Sequence, residues 1–139
     1  MFAINMLFGV IGGGVSAALL SMRQPKDRGI PLAIFLGVAV GIYVGYGLRD
    51  GHSDQAVLQA LGALPFVAVA ARWPRAVGLL GIAWLAHGLW DALHGFGLMR
   101  TTVPSWYPGA CLGWDMVLGA VALRWAYASR GREAGTPRA

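Results

Sequence analysis

Five long apolar runs, separated by short connections that carry most of the charge, constrain this chain more than any other feature. They lie at about 2–22, 30–48, 55–72, 76–98 and 105–126, and a helix needs roughly 20 apolar residues to cross the hydrocarbon core of a bilayer. Charged residues make up 12% of the 139 residues and hydrophobic ones 57%, against about 25% charged in soluble domains. Lipid offers no partner to a free N–H or C=O, so such runs must close their own hydrogen bonds as helices. The pattern predicts an all-α fold: a polytopic membrane bundle of five transmembrane helices over 1–127. A polar, disordered cytoplasmic tail is expected over 128–139. The third run is the weakest, since it carries Gln55, Gln59 and a Pro65 expected to kink it. Ser53 or Asp54 is its expected N-cap.

The connections set the orientation. Arg23, Lys26, Arg28, Arg72, Arg75, Arg124, Arg130, Arg132 and Arg138 fall on one side of a five-span arrangement, and only Arg49 and Arg100 on the other. The positive-inside rule then places the N-terminus outside and the C-terminus in the cytoplasm. No basic stretch precedes the first run, so it reads as a retained helix and not as a cleaved signal. The net charge of +5 follows from these topology-setting residues, and no basic patch suited to nucleic acid is legible. The lone cysteine, Cys111, excludes an intrachain disulfide.

Glycines recur at intervals of four. Gly37, Gly41 and Gly45 share one face of the second run, and Gly109 and Gly113 open the fifth. Small residues at that spacing let membrane helices approach closely. The expectation is packing within the bundle, with homo-oligomerisation through Gly37, Gly41 and Gly45 as the alternative.

Against this apolar background the segment HGLWDALH stands out. His87, Asp91 and His94 are spaced by four and three, so they share one helix face, and Trp84 continues the stripe. In the fifth run Tyr107, Cys111 and Asp115 repeat at four. The short connection makes the two helices antiparallel neighbours. That places Asp91 near the level of Cys111 and His87 near that of Asp115. An Asp at a helix centre costs about 2.5–3.5 kcal/mol on insertion scales, which makes intramembrane ionisable residues functional candidates. The chemistry of the set suggests a metal site of His87, Asp91, His94 and Asp115 for zinc or iron. The site is expected in an outward-facing pocket between the fourth and fifth helices, lined by Trp84, Trp90, Tyr107, Cys111 and Trp114. Asp50, His52 and Asp54 of the outer loop are further candidates. A metal with an open position would activate water and make the chain a hydrolase of a lipid or amphiphile. Two alternatives stay open: a non-enzymatic bundle or subunit in which these residues are helix–helix hydrogen bonds, and a proton or ion relay.

The pattern HGLWDALHG followed by VPSWYPGACLGWD resembles a family of small, uncharacterised bacterial integral membrane proteins, on His87, Trp90, Asp91, His94, Pro104, Trp106, Tyr107, Cys111 and Asp115. The resemblance covers the last two runs and implies a multi-pass protein of the bacterial cytoplasmic (inner) membrane. A looser similarity to membrane hydrolases of the ceramidase and progestin-receptor type implies a metal held by histidines and an aspartate. Those proteins have seven spans and a site serine, which this chain does not match.

Overall fold

The computed structural model describes residues 1–134. Among these residues the chain forms five α-helices: α1 (Phe2–Ser21), α2 (Gly29–Arg49), α3 (Ser53–Arg72), α4 (Val77–Gly95) and α5 (Tyr107–Ala134), with a short 3-10 turn at Pro25–Asp27. Helices α1, α2 and α3 are long and apolar enough to cross a membrane. Helices α4 and α5 hold His87, Asp91, His94 and Asp115, which lower their mean hydropathy. The run expected to be weakest thus meets the criterion, and α3 continues through Pro65 as one helix.

Two further expectations need correction. Ser53 is the first residue of α3 and His52 occupies the cap position, with no side-chain cap bond. Asp54 lies in the first turn instead, where its charge suits the helix dipole. Helix α5 runs to Ala134, so the first seven residues of the expected tail are helical. Residues 135–139 lie outside the described residues.

The bundle is organised around α5, which packs along both α1 and α4, while α2 packs along α3 and both reach α4 over shorter stretches. Glycine makes the α1–α5 contact close. A Cβ on Gly9 would collide with the Ala110 carbonyl, one on Gly13 would come 2.9 Å from the Trp114 carbonyl, and one on Gly113 would collide with the Met6 carbonyl. The order of these contacts makes α1 and α5 parallel. Gly78 against Ala126, Gly81 against Gly119 and Gly88 against Asp115 make α4 and α5 antiparallel. Helices α2 and α3 form a hairpin through Gly51, at φ 74°. His52 N–H reaches the Gly47 carbonyl at 2.9 Å and Gly51 N–H the Leu48 carbonyl at 3.2 Å, a Schellman ending that favours glycine at that position. Gly97, at φ 72°, ends α4 in the same way.

Gly37, Gly41 and Gly45 behave differently. A Cβ at any of them meets nothing within 4 Å. The inward face of α2 is instead Leu32, Leu36, Val40, Tyr43 and Gly47, so packing within the bundle does not explain this glycine stripe. At the end of the bundle that gathers the basic residues, the Arg28 guanidinium donates to the Ser21 carbonyl at 2.8 Å and lies 4.6 Å above the Trp125 ring, closing the C-terminus of α1.

This packing separates the glycines by consequence. Gly113→Val is expected to destabilise the fold by about 1–3 kcal/mol, the usual range for overpacking, and Gly41→Val to stay within about 0.5 kcal/mol. Chemical unfolding in detergent followed by circular dichroism reads both.

Candidate functional site

The inward stripe of α4 is Leu80, Trp84, His87, Asp91 and His94, successive steps of four and three that keep one face toward the bundle centre. His87, Asp91 and Asp115 are fully buried or nearly so. Each offers one ligand atom within 4.8 Å of the others. His87 Nδ1 is hydrogen-bonded to Asp115 Oδ2 at 2.6 Å and lies 3.5 Å from Asp91 Oδ2. The level expected from sequence for His87 and Asp115 is therefore the level observed, and Gly88, whose added Cβ would lie 3.2 Å from Asp115 Cβ, lets the two helices close on it.

Asp91 does not pair with His94. Its Oδ1 accepts the Tyr43 hydroxyl at 2.6 Å, so α2 supplies a member of the site that the sequence reading left out. The signal was present: Tyr43 follows Leu32, Leu36 and Val40 on the inward stripe of α2, and a buried tyrosine hydroxyl needs a partner. Asp91 Oδ2 and His87 Nε2 have no hydrogen-bond partner among the described residues. The His87 ring meets Phe66 of α3 edge-on, with centroids 5.3 Å apart.

His94 stands outside the group. Its Nδ1 is 2.8 Å from the Trp90 carbonyl and its Nε2 is 2.9 Å from the Gln59 amide nitrogen. The carbonyl contact requires the proton on Nδ1, so Nε2 accepts from Gln59. Both ring nitrogens are thus engaged, and the expected four-residue ligand set reduces to His87, Asp91 and Asp115. Gln59, noted in the sequence only for weakening the third run, fixes this histidine.

The outer-loop candidates also lie apart. Asp50 pairs with Arg49 at 2.6 Å, and this hydrogen bond holds its carboxyl below the usual carboxylate range. His52 and Asp54 line a separate polar cavity of about 160 Å³ with Gln55 and Arg100.

The expected pocket between α4 and α5 is replaced by another. These helices pack too closely through Gly81, Gly88 and Gly119 to leave space between them. Asp115 is reached instead from a cleft of about 370 Å³ bounded by α1, α2 and α5, with Trp84 of α4 also lining it. Tyr107, Cys111 and Asp115 line it as one face of α5, as their spacing predicted, and Trp114 lines it with them. Trp90 does not. It lies beside the His94 ring, with centroids 5.2 Å apart, and against Gly62 of α3.

Chemically, two carboxyl groups and one imidazole share a buried space. A divalent cation balances the two carboxylates beside a neutral imidazole, and three protein ligands with a further open position is the composition of many zinc sites. The group can hold a metal ion. Tyr43 would fix the orientation of Asp91, the role that outer hydrogen bonds play around ligating carboxylates.

Tyr43→Phe strips Asp91 Oδ1 of its donor and is expected to cost about 1–3 kcal/mol, the range for leaving a buried acceptor unpaired. Unfolding in detergent measures it. No protein-family model, curated protein or solved structure matches this chain.

Proposed function

We propose that the chain is a five-span, N-out protein of the bacterial inner membrane. In this reading it binds one divalent metal ion, zinc or iron, through His87, Asp91 and Asp115. The observation that carries the reading is the burial of two carboxylates and an imidazole from two helices with their ligand atoms within 4.8 Å of one another. The alternating directions of the helices and the basic residues at one end support the five spans. Asp91 Oδ2, which lacks a hydrogen-bond partner among the described residues, carries the lone pair that an ion would take up. The metal would polarise a carbonyl or activate a bound water, which makes hydrolysis of a lipid or amphiphile the reaction class the site suits. The outward-facing glycines, Gly37, Gly41 and Gly45, are the face through which two copies would associate.

A second reading has its own observation. The 2.6 Å contact of His87 with Asp115 ties α4 to α5, and that of Tyr43 with Asp91 ties α2 to α4. On this reading the same residues are helix–helix hydrogen bonds of a non-enzymatic bundle.

Elemental analysis by mass spectrometry on the full chain in detergent separates the two. The metal reading expects about one zinc or iron per chain in the parent and in His94→Gln, and loss of most of it in Asp91→Asn and Asp115→Asn. A parent that takes up no zinc or iron, even after reconstitution, overturns it and leaves the hydrogen-bond reading.

A further inference from the structure

The cleft that reaches Asp115 has a composition of its own. Its volume of about 370 Å³ falls in the roughly 300–1,000 Å³ range of small-molecule sites. Its rim includes Phe8, Val38 and Trp106, which are 67%, 57% and 54% exposed, so it opens sideways from the bundle. In a bilayer that opening faces lipid. The polar groups along it are Tyr107, Cys111 and Asp115 of α5 and the indoles of Trp84, Trp106 and Trp114.

Trp84 is 2% exposed, yet its indole Nε1 has no hydrogen-bond partner among the described residues. Buried indole N–H groups usually have one. Trp84 and Asp115 thus bring to one cleft a donor without an acceptor and a carboxylate, which accepts. Among the described residues no lysine or arginine lines the cleft, so nothing there balances an anionic headgroup.

We propose that this cleft binds a neutral, hydroxyl-bearing single-chain amphiphile that enters from the bilayer. Its chain lies among the apolar side chains. Its hydroxyl accepts from Trp84 Nε1 and donates to Asp115. The proposal rests on the bundle lying in a membrane, and not on the metal.

The test uses the full chain in lipid nanodiscs and a long-chain 1-alkanol carrying a diazirine in its tail, with labelled residues mapped by mass spectrometry. Saturable labelling on α1, α2 and α5 beside the cleft is expected. It should be competed by unlabelled alkanol and not by the fatty acid of equal length. Ala39→Phe, inside the cleft, and Val38→Trp, on its exposed rim, should each reduce labelling about tenfold. Trp84→Phe, which removes the N–H and keeps an aromatic ring, should weaken the alkanol about fivefold and leave a matching alkane probe unchanged. Val38 is exposed, so its variant tests the cleft even where Ala39→Phe fails to fold. Labelling that does not saturate, that spreads over every lipid-facing position, or that the fatty acid displaces equally well overturns the proposal. Metal content is measured on the same sample: metal without saturable labelling overturns this inference alone, and saturable labelling without metal overturns the metal reading alone. Extraction of the chain from membranes at alkaline pH would overturn the premise that both share.

Discussion

Charge balance around Asp91 and Asp115 is the constraint on which the rest of this bundle turns. Each carboxylate is buried among apolar helices, where an unpaired charge costs several kcal/mol. The fold answers with partners from three directions: His87 on the same helix as Asp91, Tyr43 on α2, and the closeness of α4 to α5. None of these partners adds positive charge by itself. A cation shared by the group, or protons distributed within it, completes the balance. That is why the cluster reads as a site and not as three separate polar residues.

The glycines make this closeness available, and they divide the molecule into two kinds of surface. Gly9, Gly13, Gly109 and Gly113 hold α1 against α5, while Gly81, Gly88 and Gly119 hold α5 against α4. Dispersion between closely packed backbones is a main source of helix association where lipid is as apolar as the side chains. Helix α5 is thereby fixed on two sides, and Asp115 has one remaining approach, the cleft beside α2. The stripe on α2 lies on the outside and contributes nothing to this arrangement. The same four-residue spacing thus serves the interior in α1 and α5 and the exterior in α2.

Much of this was legible in the sequence. Period and apolar length gave five helices within a few residues at most ends. The spacing and the short connection placed His87 at the depth of Asp115, and the spacing placed Tyr107, Cys111 and Asp115 on one face. Spacing along a helix does not say which neighbour that face meets, and here the sequence reading went astray. His94 shares the stripe of Asp91, but its ring nitrogens meet Gln59 of α3 and the Trp90 carbonyl and not the acidic pair. Tyr43 carries no charge and sits in an unbroken apolar run, so its hydroxyl drew no attention until α2 was placed against α4. The pocket was expected between the two helices that carry the polar residues. Glycine at 81, 88 and 119 closes that interface, and the accessible side of Asp115 becomes the one turned to α1 and α2. The far end of α5 was misjudged because composition alone does not register a helix continuing from a packed segment.

The metal and hydrogen-bond readings make different demands on the same atoms. Four ligands at about 2.0–2.1 Å in a tetrahedral shell stand roughly 3.3 Å from one another. His87 Nδ1 and Asp115 Oδ2 are 2.6 Å apart, while His87 Nδ1 and Asp91 Oδ2, at 3.5 Å, are near that value. Holding an ion therefore requires the His87–Asp115 contact to lengthen, by less than 1 Å. Rotation of the Asp115 carboxylate or tilting of the His87 ring against Phe66 supplies that movement. Both are side-chain motions, and the Asp115 carboxylate lines the cleft. A headgroup in the cleft and a cation in the cluster would therefore both bear on Asp115, the residue common to the cleft lining and the cluster.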